Sequence, residues 1–393
     1  MFNRKAVQNI LLGFASIGLA FGFLEVGASF LPPPIEGPEN AAESCSRETG
    51  WRGRSDFTST VNTAGYVHDL QLNSLGMHDQ LHSVDKPADT YRILMLGDSF
   101  VQAIQVPEAE TSHQVLETRL NEVANDQAFE VISGGVGGWG TGQQLQYYRE
   151  EGRAYNPDLV VLMVYLGNDV KDNLPGRGIT VDGFNCYAPY FVYAEDQLDP
   201  SPWLFAPGLP PAVGSPWVGQ KLLNNGLGWF YRHSYLYAQL EPLFSPTQLQ
   251  ASVLDFYIGQ NETFDYALTL TQQLVRQLQQ EATADGAEFV VVLISPRSLI
   301  EFSQLGPEER ELIYTELPAM RRAETIIPPN EMLADRFVAA GLQVIDLFPS
   351  FLVQANPSGD NLYFKEDKHW NREGNQLAAE TIHAWLITTD LIE

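Results

Sequence analysis

Short runs of consecutive apolar residues alternate with amphipathic segments from Tyr91 to the C-terminus. Runs of this kind, rich in Val, Ile and Leu, are typical of strands that are buried on both faces of a sheet. Because the segments between them have helical patterns, we expect a parallel sheet with right-handed crossovers. The runs predict five strands, at residues 92–96, 129–133, 159–166, 288–294 and 343–347.

Five helices are predicted between and after these strands. The clearest covers residues 262–283, where apolar side chains recur at the spacing of one helical face. Asn261 can cap its start and Gly286 can end it. The remaining helical patterns cover residues 108–123, 141–152, 329–340 and 372–386.

Two irregular segments interrupt the alternation. Residues 171–260 are dense in Pro, Gly and aromatic residues, and we interpret them as an insertion or cap over the end of the sheet. They begin directly after a predicted strand, where open α/β sheets bind ligands. Residues 50–88 form an N-terminal extension that we expect to pack on the core. That core comprises residues 89–170 and 261–393.

The N-terminus has the pattern of a membrane anchor. Residues 6–24 carry no charge and follow two basic residues, and nineteen helical residues span about 28 Å, close to the thickness of the hydrocarbon core. The positive flank predicts that the chain after residue 31 is exported. The length favours a retained signal anchor at 1–31, and a cleaved signal peptide with a site at 26–28 is the alternative. Residues 32–49 form a linker.

Composition narrows the choice of partners. With 23 basic and 49 acidic residues the net charge is −26, which disfavours binding to nucleic acid. The two cysteines, Cys45 and Cys186, can form one disulfide in an oxidising compartment, or they can be two unrelated buried thiols. No cysteine and histidine cluster has the spacing of a zinc site, so we expect neither metal nor cofactor.

Four polar stretches carry candidate chemistry. They are "GDSF" at residues 97–100, "GGVGGWGT" at 134–141, "GND" at 167–169 and "DKHWNREG" at 367–374. The carboxyl ends of parallel strands lie at one edge of a sheet, so we expect the first three to converge there. The last stretch joins them if its loop folds back over that edge.

Together these stretches supply the groups that acyl transfer requires. Ser99 can attack a carbonyl, with His369 as general base and a nearby carboxylate to orient the imidazole. The oxyanion that forms needs fixed donors. The Ser99 backbone N–H, a glycine N–H and the Asn168 side-chain amide can provide them.

In this order and at these separations, the four stretches resemble the sequence blocks of the SGNH hydrolases, also called GDSL-type esterases and lipases. The resemblance covers about residues 89–390, apart from the insertion. It implies a flavodoxin-like three-layer α/β/α sandwich with a five-stranded parallel sheet. By position, Ser99 matches the nucleophile and an oxyanion donor, Gly138 and Asn168 match the other oxyanion donors, and His369 matches the base.

The chain departs from the family pattern at two positions. The acid of the family commonly lies three residues before the histidine, where this chain has Glu366, and Asp367 lies two before it. We prefer Asp367, because some membrane-anchored and acetyltransferase-like branches resemble its Asp-x-His-Trp form, and Glu366 is the alternative acid. The second block often opens with Asn. Here it opens with Ser133, which weakens an auxiliary hydrogen bond.

The resemblance implies a metal-independent ester hydrolase, and the N-terminal segment predicts that its catalytic domain lies on the extracytoplasmic side of the membrane. Its substrate would be a small-molecule or glycan ester. One alternative is a carbohydrate O-acetyltransferase or polysaccharide acetylesterase of the cell envelope. Another is a non-catalytic binding protein on the same fold, which the presence of Ser99, Asn168 and His369 together disfavours.

Overall fold

The computed structural model describes residues 43–63, 65–124, 127–181, 184–194, 197–199, 201–202, 262–316, 328–365, 367–389 and 391–392. They belong to one compact unit of the chain, formed by residues 37–210 and 250–393. The predicted anchor at 1–31, the helix cap Asn261 and most of the predicted insertion lie outside the described residues. Among the helices that are described, none is long and apolar enough to cross a membrane.

The described strands fall into one parallel sheet and several short antiparallel hairpins. They are β1 (Glu43–Ser46), β2 (Gly50–Gly53), β3 (Thr58–Asn62), β4 (Val67–Gln71), β5 (Thr90–Gly97), β6 (Ala128–Gly135), β7 (Leu159–Tyr165), β8 (Gly178–Val181), β9 (Phe184–Tyr187), β10 (Tyr193–Ala194), β11 (Gln197–Leu198), β12 (Glu288–Ile294) and β13 (Gln343–Asp346).

The helices lie between and after the strands of the parallel sheet, with 3₁₀ turns at Glu108–Glu110 and Gly152–Tyr155. They are α1 (Ser99–Gln102), α2 (Ser112–Val123), α3 (Thr141–Glu150), α4 (Asp169–Asp172), α5 (Glu262–Ala284), α6 (Arg297–Gln304), α7 (Pro307–Glu316), α8 (Pro329–Ala339), α9 (Phe348–Gln354) and α10 (Arg372–Thr388).

The expected parallel sheet is confirmed, with five strands in the described part of the chain, in the order β13-β12-β7-β5-β6. Successive side chains of its strands enter two different cores. Leu94 and Leu96 pack with α3, α5 and α8 on one face, and Ile93 and Met95 pack with α2, α6, α9 and α10 on the other. Helices therefore cover both faces of the sheet, which explains why its strands are apolar throughout.

The predicted strands all lie within two residues of the observed bounds. The prediction of one continuous helix over 108–123 was wrong. Thr111 has an extended backbone with ψ of 153°, so a 3₁₀ turn ends before it and α2 begins at Ser112. Similarly, α3 ends at Glu150, two residues before the predicted end. Helices α1, α4, α6, α7 and α9 were not predicted.

The N-terminal extension packs against the loop that follows β6. The indole of Trp51 donates to the Gly137 carbonyl at 2.8 Å, and the indole of Trp139 donates to the Trp51 carbonyl at 2.8 Å. A disulfide joins Cys45 of β1 to Cys186 of β9, which is the first of the two alternatives that the sequence left open. These contacts fix the β1–β2 hairpin beside the carboxyl edge of the sheet.

Candidate active site

Ser99 lies in a tight turn between β5 and α1. Asp98 caps the short helix, with its Oδ1 atom accepting from the Phe100 N–H at 2.9 Å. A side chain at Gly97 would bring its Cβ within 2.3 Å of Val101 Cγ2, so the turn requires glycine there. The backbone N–H of Ser99 is at the first position of the helix, where no internal acceptor is available.

His369 and Asp367 complete a chain of contacts to this serine. The His369 Nε2 atom lies 2.7 Å from Ser99 Oγ, and its Nδ1 atom is hydrogen-bonded to Asp367 Oδ1. The buried indole of Trp370 holds the loop in place, with its ring centroid 4.9 Å from that of Phe100. The imidazole is therefore positioned to accept the Ser99 proton at one nitrogen and to hold its own proton towards Asp367 at the other.

The Asp367 carboxylate has a second partner from the N-terminal extension. The Tyr66 hydroxyl donates to Asp367 Oδ2 at 2.7 Å. Burial acts to raise the pKa of Asp367, but the hydrogen bonds from His369 and Tyr66 outweigh burial and hold that pKa below its usual range. The alternative acid, Glu366, lies outside the described residues, so only Asp367 can be placed against His369.

Gly138 lies on a loop whose backbone is fixed by the nucleophile helix. It has a φ of +72°, a conformation that favours glycine. The preceding N–H, of Gly137, donates to Gln102 Oε1 at 2.9 Å. A Cβ atom at Gly138 would lie 3.0 Å from the Arg177 guanidinium, so the loop also approaches that cation closely.

Asn168 is at the end of β7 and precedes α4. Its side-chain amide nitrogen donates to Asp172 Oδ2 at 2.8 Å. One of the two amide hydrogens is therefore bound to Asp172.

Two further acids of the motifs are buried beside the nucleophile turn. Asp169 Oδ2 accepts from the Tyr165 N–H at 2.9 Å, so Asp98 and Asp169 both bond to backbone N–H groups. Burial raises the pKa of Asp98 to about 6, and burial together with the charge of Asp98 raises the pKa of Asp169 well above its ordinary value. The pair therefore retains a proton at a pH where exposed carboxyls are ionised.

A cavity of about 190 Å³ opens beside the nucleophile. Its volume is small for a ligand site. The residues that line it are Glu43, Ser99, Gln102, Ile104, Gln105, Gly137, Gly138, Arg177, Ile179 and His369.

The comparisons with known proteins give one family match, to the C-terminal part of the chain. Residues 258–392 match the family model described as the SGNH hydrolase-like domain of the acetyltransferase AlgX. This similarity to an SGNH hydrolase-like domain covers about a third of the chain. The matched segment contains Asp367 and His369, while Ser99 lies before it. No curated protein matches the sequence.

Solved structures with similarity to this chain include a lipase/acylhydrolase and an esterase. The lipase/acylhydrolase from Enterococcus faecalis is 12% identical, with a TM-score of 0.38 over 76% of this chain and 96% of that one. The psychrotrophic esterase EstA from Pseudoalteromonas sp. is 10% identical, with a TM-score of 0.36 over 76% of this chain and 97% of that one.

The structure brings some of the predicted site residues to one cavity but not all of them. Ser99, Gly138 and His369 line one cavity, and Asp367 is reached through His369. Asn168 is not among the described residues that line this cavity. Ser133, where the second block often has Asn, has a buried hydroxyl with no partner in the described part of the chain.

Sequence reasoning missed Tyr66 and Arg177. Tyr66 lies 301 residues from its partner Asp367, and Arg177 immediately precedes β8 in the predicted insertion. Neither residue belongs to a motif or a periodic pattern, so one sequence offered no signal for them. Within the described residues, no group of three or more His, Cys, Asp or Glu side chains could hold a metal ion.

Proposed function

We propose that this chain is a serine-dependent enzyme that acts on acyl or acetyl esters through an acyl-serine intermediate. One observation carries the proposal: the continuous contact from Ser99 Oγ to His369 Nε2 at 2.7 Å and from His369 Nδ1 to Asp367. A serine hydroxyl is a weak nucleophile unless an oriented base removes its proton. The three side chains meet this requirement.

The proposed reaction has two halves. His369 takes the proton of Ser99 as Oγ forms a bond to the ester carbonyl carbon. The oxyanion is held by the Ser99 N–H, the Gly138 N–H and the Asn168 amide. The carbon–oxygen bond to the leaving alcohol then breaks, and the alcohol takes the proton from His369. Water, or the hydroxyl of an acceptor, attacks the acyl-serine with His369 again as base.

The nature of the acceptor separates two candidate functions. With water the enzyme is an ester hydrolase, and with a sugar hydroxyl it is a carbohydrate O-acetyltransferase. The match of residues 258–392 to a domain named for an acetyltransferase supports the O-acetyltransferase as a second candidate. When an acetylated glycan is the acyl donor and water is the acceptor, the same chemistry describes a polysaccharide acetylesterase.

We further propose that the enzyme works outside the cytoplasm. The uncharged segment at residues 6–24 with its basic flank supports an N-terminal signal anchor. The disulfide between Cys45 and Cys186 supports the same location, because disulfides persist in oxidising compartments. The catalytic domain would then face the periplasm or the exterior, and it would be secreted if the signal is cleaved.

The first experiment measures hydrolysis of 4-nitrophenyl acetate by the full-length protein without added metal. We expect Ser99→Ala and His369→Ala to lose at least a thousandfold in kcat, because removal of a triad member leaves little catalysis. Asp367→Ala should lose less than either. Full activity in the Ser99→Ala protein would refute the mechanism.

A second experiment compares acetylated sugars, long-chain fatty-acyl esters and an acetyl donor supplied with a polysaccharide acceptor. A transferase should release more acetylated glycan than free acetate when the acceptor is present, and a hydrolase should release acetate regardless of the acceptor. Absence of Ser99-dependent acyl transfer to any of these acceptors would leave the non-catalytic binding protein as the better explanation.

A further inference from the structure

The side chain of Asn168 is held by a single acidic residue. Its amide nitrogen donates to Asp172 Oδ2 at 2.8 Å, and the Asp172 backbone N–H donates to the Asn168 carbonyl at 2.7 Å. The amide oxygen of Asn168 is buried and has no partner among the residues that the structure describes. The bond to Asp172 is therefore the contact that fixes the orientation of the amide.

The Asp172 carboxylate is paired with a cation that reaches the catalytic cavity. Its side chain is 10% exposed, and its Oδ2 atom lies 3.2 Å from the Arg177 Nε atom. Arg177 lines the cavity with Ser99, and its guanidinium lies 5.7 Å from the centroid of the Trp51 ring. Burial raises the pKa of Asp172, while Arg177 and the Asn168 amide act in the opposite direction.

This pairing matters because the nucleophile turn is already acidic. Burial is the main cause of the raised pKa of Asp98, and the charge of Asp172 adds to it. The field of Asp172 therefore extends to the residue before Ser99. An uncompensated carboxylate at this place would oppose the negative charge that develops when Ser99 attacks a carbonyl.

We propose that Asp172 and Arg177 are positioning residues for the oxyanion site. Asp172 orients the Asn168 amide by accepting one of its hydrogens, and Arg177 neutralises the charge of Asp172. The inference rests on the proposed function, since it assigns Asn168 to the oxyanion. It gives a role to Arg177, which the predicted insertion brings to the cavity wall.

The first test is a double-mutant cycle on kcat for 4-nitrophenyl acetate in the full-length protein. Asp172→Ala should lower kcat at least tenfold with little change in KM, and by no more than the 10²–10³-fold typical of losing an oxyanion donor outright. In an Asn168→Ala background, the same substitution should change kcat less than threefold. An equal loss in both backgrounds would overturn the proposal, since Asp172 would not act through Asn168.

Conservative variants separate orientation from charge. Asp172→Asn retains an acceptor for the Asn168 amide and removes the charge, so its kcat should stay within threefold of the wild type. Arg177→Met should lower kcat, Arg177→Lys should restore most of it, and Arg177→Met should have little effect in the Asp172→Asn background. If Arg177→Met instead raises KM equally in both backgrounds, Arg177 contacts the substrate and the proposal fails.

Two controls keep the outcomes distinct. Asp285 accepts from Arg153 at 2.8 Å and from Tyr148 at 2.8 Å, away from the cavity, so Asp285→Ala removes a comparable acceptor and should leave kcat unchanged. Ser99→Ala tests the proposed function by itself. If Ser99→Ala abolishes activity and Asn168→Ala lowers kcat while Asp172→Ala retains the wild-type kcat, the positioning role is wrong and the proposed function stands.

Discussion

At the scale of single residues, Asp367 shows how a catalytic acid can be kept charged in a partly buried site. Its side chain is 14% exposed, and burial alone would favour the protonated form. The Tyr66 hydroxyl and the His369 ring each donate to one carboxylate oxygen and reverse that preference. Tyr66 therefore fixes the acid on the side opposite the base.

Replacing Tyr66 tests this arrangement. Tyr66→Phe keeps the ring, which lies 4.6 Å from the Phe364 ring, and removes the hydroxyl. We expect a loss of about 1–2 kcal/mol in the free energy of unfolding at pH 7, because a hydrogen bond to a charged group is lost. We also expect kcat to fall by up to about tenfold.

The pH dependence of this loss has a definite sign. The pKa of Asp367 is lower in the folded protein than in the unfolded chain, where it is about 4. The hydrogen bonds of the charged carboxylate therefore stabilise the folded protein at a pH above about 4. This stabilisation is lost as the pH falls through the folded-state pKa. The gap between wild type and Tyr66→Phe should therefore narrow in urea unfolding at pH 3. A gap that stays constant from pH 7 to pH 3 would show that Tyr66 does not act through the charged carboxylate.

At the scale of elements, the loop after β6 is positioned by three neighbours. Trp51 and Gln102 bind Gly137 from the N-terminal extension and from α1, and Arg177 approaches Gly138 from the segment before β8. The φ of +72° at Gly138 favours glycine, and a Cβ atom there would lie 3.0 Å from the end of the Arg177 side chain, which would have to move. The loop conformation therefore depends on elements that are distant in sequence.

Gly138→Ala should disturb both the backbone and the site. We expect a loss of about 1–2 kcal/mol in stability from the left-handed conformation, together with a large fall in kcat as the loop shifts away from Arg177. Gly286→Ala is the matched control, since Gly286 has a φ of +96° and no atom within 4 Å of a Cβ. It should lose similar stability and retain activity. Equal kcat in the two variants would exclude a role for the Gly138 loop.

Part of the fold and of the candidate site could be predicted from the sequence. The sequence predicted the strands of the sheet, because buried strands are continuously apolar. It also indicated Ser99 and His369, because motif residues follow the ends of strands. Gly286 was also correctly predicted to end α5, where its N–H bonds to the Thr283 carbonyl. The contacts of Tyr66 and Arg177 could not be predicted from the sequence, because they depend on the packing of short hairpins whose sequences show no periodic pattern.

At the scale of the whole molecule, the β1–β2 hairpin is tied to segments on both sides of β7. The Cys45–Cys186 disulfide spans 141 residues, and Arg52 binds Glu151 through two hydrogen bonds of 2.7 and 3.1 Å. Glu43, in the same strand as Cys45, lines the catalytic cavity. The disulfide therefore connects the wall of the cavity to the segment that carries Arg177.

Removal of the disulfide should destabilise the folded chain without changing the chemistry. Loop-closure entropy for a separation of 141 residues limits the contribution of the disulfide to the free energy of unfolding to about 5 kcal/mol. We expect the double variant Cys45→Ser, Cys186→Ser to lose about 2–5 kcal/mol of that free energy. The triad is held by other contacts, so kcat at low temperature should stay near that of the wild type, while heat inactivation should begin at a lower temperature. A reductant should shift the wild type towards the double variant and leave the variant unaffected. If the reductant leaves the unfolding midpoint of the wild type unchanged, the disulfide does not contribute to its stability, and the polar contacts of Trp51 and Arg52 hold the hairpin without it.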